Sequence, residues 1–358
     1  MASVVKNFWK NKNVFLTGHT GFKGSWLSLW LNKMGANVTG YALPPLKKSL
    51  YTQVELSSRI KSHYGDVSDI HNLKAVMAEA QPEIVIHMAA QALVKYSYKH
   101  PVETYRTNVM GTVHVLEESL NLNSVRAIVN VTSDKCYENQ EREAGYTENE
   151  PMGGYDPYSS SKGCAELVTS AYYRSYYQHT YKGLASARAG NVIGGGDWSE
   201  DRLLPDIFRA IEGRKPVVIR NPQSIRPWQH VLEPLSGYLL LAQRLYDSKN
   251  EFSEGFNFGP EMSDAKPVEY VVQKITSLWG DGVHYEIEKN YSGPHEASLL
   301  RLDITKAKKK LNWQPTWNIE ESLEKTVDWY KNVLKNSKCA FDKTLEQIEI
   351  YEKNSASR

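Results

Sequence analysis

Tyr158 and Lys162 stand four residues apart in YSSSK, which puts a phenol and an amine on one face of a helix, one turn from each other. A phenol ordinarily titrates near ~10, too high for a base at neutral pH. A nearby ammonium, or a cationic ring bound beside it, favours the phenolate and brings that value down. Such a pair can take the proton of a carbinol while hydride leaves the carbon. The pattern is short, and a Tyr/Lys pair on a solvated helix face has the same spacing.

Upstream, VTSDKCY sets Ser133, Asp134 and Lys135 side by side behind the apolar run AIVNV. The C-terminal ends of parallel strands are where α/β sheets place their chemistry. Neighbouring Asp and Lys would ordinarily form an ion pair, worth little on a surface. Elimination of water needs the other tautomer, a neutral Lys135 and a protonated Asp134. Both forms hold the same number of protons, so a dry pocket beside Lys162 can shift the balance.

These groups need a frame, and the first half of the chain predicts one of alternating strands and helices. NVFLT (Asn13–Thr17) reads as a strand, followed by TGHTGFKG with Gly18, Gly21 and Gly24 at three-residue spacing. Between a strand and a helix, that spacing suits a phosphate-binding turn, to which Thr17, Thr20 and Phe22 belong. A helix is expected over 26–34 and a second strand over 37–43. That strand ends in GYAL, with neither an acid for ribose hydroxyls nor an Arg for a ribose phosphate, so NAD and NADP both stay open. Asp66 and Val67 in GDVSD fit either an adenine contact or a turn. Strands are expected over 83–90, 127–133 and 184–188, and helices over 102–120 and from Pro157 onward. Beyond Asn191 the pattern turns to shorter, mixed elements, with helices over 203–211, 235–245 and 319–334 and a strand over 216–220. The expected division is a dinucleotide domain over 1–190 with a returning segment at 228–256, a substrate lobe over 191–227 and 257–335, and a polar tail over 336–358.

Composition narrows the partners. With 41% hydrophobic and 23% charged residues and a net charge of +2, the chain has no basic field for nucleic acid or an anionic membrane. The basic run KAKKK at 306–310 reads as a solvated helix face. Cys136, Cys164 and Cys339 form no CxxC, so no metal and no disulfide framework is expected. Neither a signal peptide nor a membrane span is legible, and the expectation is a soluble, cytoplasmic protein.

In chain order, the glycine turn, MAAQ after a buried strand, Ser133 after another, and YxxxK resemble the extended short-chain dehydrogenase/reductase family. The resemblance covers nearly the whole chain. It implies a Rossmann-type doubly wound parallel sheet with a smaller mixed α/β C-terminal lobe, and a tightly held NAD. It further implies that Ala89, Ala90 and Gln91 lie by the cofactor, that Asn108 in NVMGT is structural, and that Ser133 orients a substrate 4-hydroxyl beside Tyr158. VTSDKCY, GGYDPYSSSKG, RAGNVIGGGDW and IRPWQHVLEPLSGYL resemble the sugar-nucleotide 4,6-dehydratase branch, its CDP-sugar members above all. Those enzymes carry an acid after the serine and then a second proton-transfer residue, in most of them Glu; here Lys135 takes that place. By resemblance, Asn191 contacts a substrate diphosphate, while Arg202, Leu204, Asn257 and His295 fall in nucleotide-contacting segments. Arg226 is either the cation suited to a bidentate grip on that diphosphate or a structural ion-pair partner, for instance of Glu233. Trp198 and Trp228 could stack on a base or be core. A homodimer or homotetramer and a place in deoxysugar synthesis are also implied. Two rivals remain: a nucleotide-sugar 4-epimerase, which needs no acid–base pair for losing water, and a non-catalytic NAD-binding regulator.

Overall fold

The β-branched runs pair as one parallel sheet of seven strands in the computed structural model, which describes residues 4, 6–288 and 299–357. In chain order the strands are β1 (Asn13–Thr17), β2 (Asn37–Ala42), β3 (Lys61–Tyr64), β4 (Ile84–His87), β5 (Ala127–Val131), β6 (Gly183–Ala189) and β7 (Gly255–Phe258). Across the sheet they run β7-β6-β5-β4-β1-β2-β3, in register Val14↔Ile84 and Val14↔Val38 around the centre. Every residue of β4, β5 and β6 is buried, as strands covered on both faces must be. The order reverses between β1 and β4, and a crevice opens there at the strands' C-terminal ends.

Helices cover both faces. Those used below are α1 (Phe22–Lys33), α2 (Pro157–Ser175), α3 (Leu232–Phe252), α4 (Ile319–Lys335) and α5 (Ala340–Ala356). Asp156 caps α2 by accepting from the Ser159 amide, and Pro157 occupies the first helical position. The helix expected over 102–120 is broken: Pro101–Tyr105, a π-turn over Arg106–Met110, then Gly111–Asn121. The π-turn carries Asn108 inward.

Two expectations are corrected. The polar tail is helix α5, which buries Ile348 and Tyr351. Trp30 donates to Glu352 at 2.8 Å, and the Tyr351 hydroxyl donates to the buried Glu233 at 2.8 Å, so α5 is tied to α1 and α3. The return to the sheet extends to Phe258, which places Asn257 in β7 rather than in a substrate lobe. The basic run is a solvated face, as expected, on which Lys306 and Lys310 pair with Glu254, and Lys308 with Glu261.

Candidate active site

The tight turn after β1 places the first part of the site. Gly18 has φ +79°, and a Cβ there would lie 2.8 Å from the Ala89 nitrogen; a Cβ on Gly24 would lie 2.1 Å from the Gly18 carbonyl. Gly21 differs, because its Cβ would meet only one carbonyl oxygen, at 3.4 Å. Gly21 also starts α1 without a side-chain cap, so the first-turn N–H groups and the positive dipole end are open to an anion. Other residues of the motif support the turn. The Thr17 hydroxyl accepts from the Met88 and Ala89 amides and bonds His87 at 2.7 Å. Thr20 donates to the Leu43 carbonyl, and Phe22 packs beside Gly194.

The neighbouring positions divide in the same way. Asp66 accepts from the Ser68 amide at 2.8 Å, an Asx-type turn, and Val67 is buried beside Gly111. Gln91 spends its side chain on Leu93 and Thr104. Asn108 accepts from the Gln91 amide and donates to the Gln91 carbonyl and to Ser161 of α2, locking the MAAQ turn to that helix. Ala90 lines the crevice.

That crevice is a cleft of about 840 Å³ in which Ser133, Asp134, Lys135, Tyr158 and Lys162 meet Asn191, Arg202, Leu204, Arg226 and Trp228. Ser133 donates to Asp134 Oδ1 at 3.0 Å and accepts from the Lys135 amide at 3.2 Å. Asp134 is 2% exposed and its Oδ2 has no partner. Burial raises its carboxyl above the ordinary range, although Lys135, Ser133 and Arg226 oppose that rise. The Asp134–Lys135 surface ion pair weighed above does not form: the acid is buried, bonded to Ser133 and biased toward its protonated form. Gly190 makes room for it, since a Cβ there would lie 1.8 Å from Oδ2.

Tyr158 behaves differently from expectation. Burial pushes its phenol up to about 12, with Ser133 and Arg202 pulling the other way. Lys162 is itself lowered to about 8 by burial, while Glu166 favours its ammonium, and its Nζ donates to the Val131 carbonyl at 3.4 Å. The protein groups alone therefore do not deliver a low-pKa phenol. An added positive charge beside Tyr158 would.

Below Lys162 lies a network that the motifs did not reveal. Glu166, one turn further along α2, accepts from Arg188 at 2.8 Å, from Ser186 at 2.6 Å and from Thr132. Arg188 continues to the Tyr137 hydroxyl at 2.6 Å, and Tyr137 donates to Asn257 Oδ1 at 2.7 Å. Asn257 also donates to the Tyr146 and Asp303 carbonyls and is fully buried outside the cleft. It joins structural segments, and its side chain is spent on partners inside the protein. Leu204 is a buried cleft wall. Asn191 has φ +30° on the cleft lining, and Arg202 stands 3.5 Å from Asp197. Trp198 bonds Gln53 and packs on Tyr330 away from the cleft lining. His295 lies outside the described residues. Among the described residues no cluster could hold a metal ion.

Comparison with known proteins follows this geometry. A family model described as GDP-mannose 4,6 dehydratase matches residues 15–326. A CDP-glucose 4,6-dehydratase of Salmonella typhimurium is 58% identical over 332 residues, 91% of this chain and 92% of the relative. A dTDP-glucose 4,6-dehydratase of Haemophilus influenzae is 25% identical, covering 89% of this chain and 97% of its own. Among solved structures, the Bacillus anthracis dTDP-glucose 4,6-dehydratase in complex with NAD superposes with a TM-score of 0.76 at 22% identity, over 92% of this chain and 99% of that one. The last likeness speaks for the shared fold. With a match over most of its length and a relative of such identity, the chain belongs to the GDP-mannose 4,6 dehydratase family.

Proposed function

We propose that the chain converts CDP-glucose to CDP-4-dehydro-6-deoxy-glucose plus water, as a hydro-lyase with resident NAD. The observation that carries the reading is the buried Asp134 carboxyl, biased toward protonation and with one unpartnered oxygen, in one cleft with Lys135 and Tyr158. An epimerase has no step for such an acid. The CDP nucleotide is assigned from the 58% identity to the Salmonella enzyme.

The glycine turn fits the dinucleotide: Gly21 and the uncapped α1 terminus offer a phosphate cradle, and Ala90 and Lys162 border the cleft. When bound, NAD supplies reversible hydride storage, so that hydride from C4 ends on C6 with no net oxidation. The chain's own residues handle the protons. Tyr158, aided by Ser133, takes the proton of the 4-hydroxyl, and a 4-ketone makes the C5 hydrogen acidic. Lys135 removes that hydrogen as a proton, and Asp134 protonates the departing 6-hydroxyl. A proton then returns to C5. Asn191, Arg202 and Arg226 hold the diphosphate, and Leu204 and Trp228 wall the nucleoside end.

Incubation with CDP-, UDP-, GDP- and dTDP-glucose tests the reading by mass spectrometry. Loss of one water from the CDP sugar in preference to the others is expected. An unchanged mass with inverted C4 would sink it.

The protein is further read as a cytoplasmic homodimer or homotetramer. Tyr98, Val102, Tyr105 and Leu167 leave apolar groups exposed on the helices over 94–105 and on α2, where a second copy could cover them. Among the described residues no helix is long and apolar enough to cross a membrane. A monomer by sedimentation velocity would contradict the assembly.

A further inference from the structure

Ser133 sits between the phenol and the acid that exchange protons with the substrate. Its hydroxyl donates to Asp134 Oδ1 at 3.0 Å and accepts from the Lys135 amide at 3.2 Å. A hydroxyl has one donor and two acceptor sites, so one acceptor site is left. The Tyr158 hydroxyl, also hydrogen-bonded to Ser133, fills it. Tyr158, Ser133 and Asp134 thus form one chain on the cleft lining, phenol to hydroxyl to carboxylate. The far end is closed. Asp134 is 2% exposed, its Oδ2 has no partner, and among the described residues Ser133 is the only side chain hydrogen-bonded to it. The Lys135 amide bonds it too, but an amide passes on no proton.

We propose that Ser133 is a proton relay from Tyr158 to Asp134, so that opening the reaction at C4 loads the acid used at C6. The proposal rests on the dehydratase reading above and adds to it the source of that acid's proton. The Tyr158 O–H bond breaks and its proton passes to Ser133 Oγ, while the Ser133 proton passes to Asp134 Oδ1. Phenol and carboxylate become phenolate and carboxylic acid, and Ser133 ends as it began. The phenolate takes the proton of the 4-hydroxyl as hydride leaves C4 for the resident NAD. After Lys135 has removed the C5 proton, Asp134 gives its proton to the departing 6-hydroxyl, and water leaves. Tyr158 is again a phenol and Asp134 a carboxylate, so the 4-hydroxyl proton balances the one carried off in the water. The relay suits the two groups it joins. The phenol stands at about 12, a poor source of phenolate by exchange with solvent, and burial raises the Asp134 carboxyl, which makes it a better acceptor.

The test uses CDP-6-deoxyglucose, which has a 4-hydroxyl to oxidise and no 6-hydroxyl to lose. With this probe Asp134 has no leaving group to protonate, so its effect on C4 oxidation reports the relay. Reduced cofactor is followed by absorbance after rapid mixing with the NAD-loaded protein. Asp134→Asn and Ser133→Ala should each slow its formation by about 10²-fold, and the double variant no further than either alone. Ser133→Thr, which keeps the hydroxyl, should restore most of the rate. Asp134→Asn oxidising C4 at the unaltered rate would overturn the proposal, because an acid that serves only C6 is idle here. Infrared difference spectra of the unaltered protein decide independently of how any variant folds. A protonated-carboxyl band that shifts in deuterated water should grow in step with reduced cofactor, and its absence would overturn the relay. No reduced cofactor in the unaltered protein would instead overturn the dehydratase reading, and the relay with it.

Discussion

Lys135→Ala is expected to stop solvent deuterium from entering C5 and to lower turnover by about 10²- to 10⁴-fold, the usual contribution of a positioned acid or base. The argument is local. Lys135 follows Ser133 and Asp134 at the mouth of β5 and lines the cleft that holds Tyr158. Among the described residues lining the cleft, no other amine directly follows Ser133 and Asp134: Lys162 donates to the Val131 carbonyl, Lys23 packs on Tyr238, and Lys95 pairs with Asp201. Because the ketone forms before C5 is touched, the variant should still oxidise C4, and reduced cofactor should build up on the enzyme after one addition of substrate. Normal deuterium entry at C5 in the variant, read by NMR, would show that another group is the base.

The second large effect is on stability. Glu166→Gln should cost about 3–5 kcal/mol, because it leaves the Arg188 guanidinium buried without its counter-charge. The pair is 2.8 Å apart, with side chains 6% and 4% exposed, and Glu166 also accepts from Ser186 and Thr132. Despite its burial, the Glu166 carboxyl is held below its ordinary range by Arg188 and these donors. For a carboxyl with a depressed folded-state pKa, the stabilisation is complete above the ordinary unfolded value and is lost as pH falls through the folded one. Urea unfolding from pH 6 to pH 8 should therefore show a constant gap between the two proteins, narrowing only in acid. A gap under about 1 kcal/mol would mean that the network tolerates an uncompensated Arg188. The variant should also lower Lys162 further, since Glu166 favours its ammonium.

What the sequence revealed depended on how local the signal was. Glycine spacing after an apolar run, a Pro at the start of α2 and the Tyr158–Lys162 spacing are complete within a few residues, and each landed on the expected element. Helix α5 was not legible because its charged composition hides the buried stripe of Ile348 and Tyr351, whose partners on α1 and α3 are remote in the chain. Asn257 misled for a related reason. In FNF of β7 both faces of the strand are covered, so its polar side chain had to find carbonyls inside the protein. Glu166 could have been found: it sits four residues beyond Lys162 on the same helix face, where an acid tunes an amine. The rise in the Tyr158 phenol had no sequence signal, since burial depends on cleft walls that remote segments supply.

The central claim is that one enzyme removes hydride from C4 and returns it to C6 while water leaves between those events. CDP-glucose labelled with deuterium at C4 tests it most directly. The account predicts a 4-keto product of one water less, with the deuterium in its C6 methyl group by NMR and no accumulation of free reduced cofactor. Deuterium retained at C4, or lost to released cofactor, would contradict it.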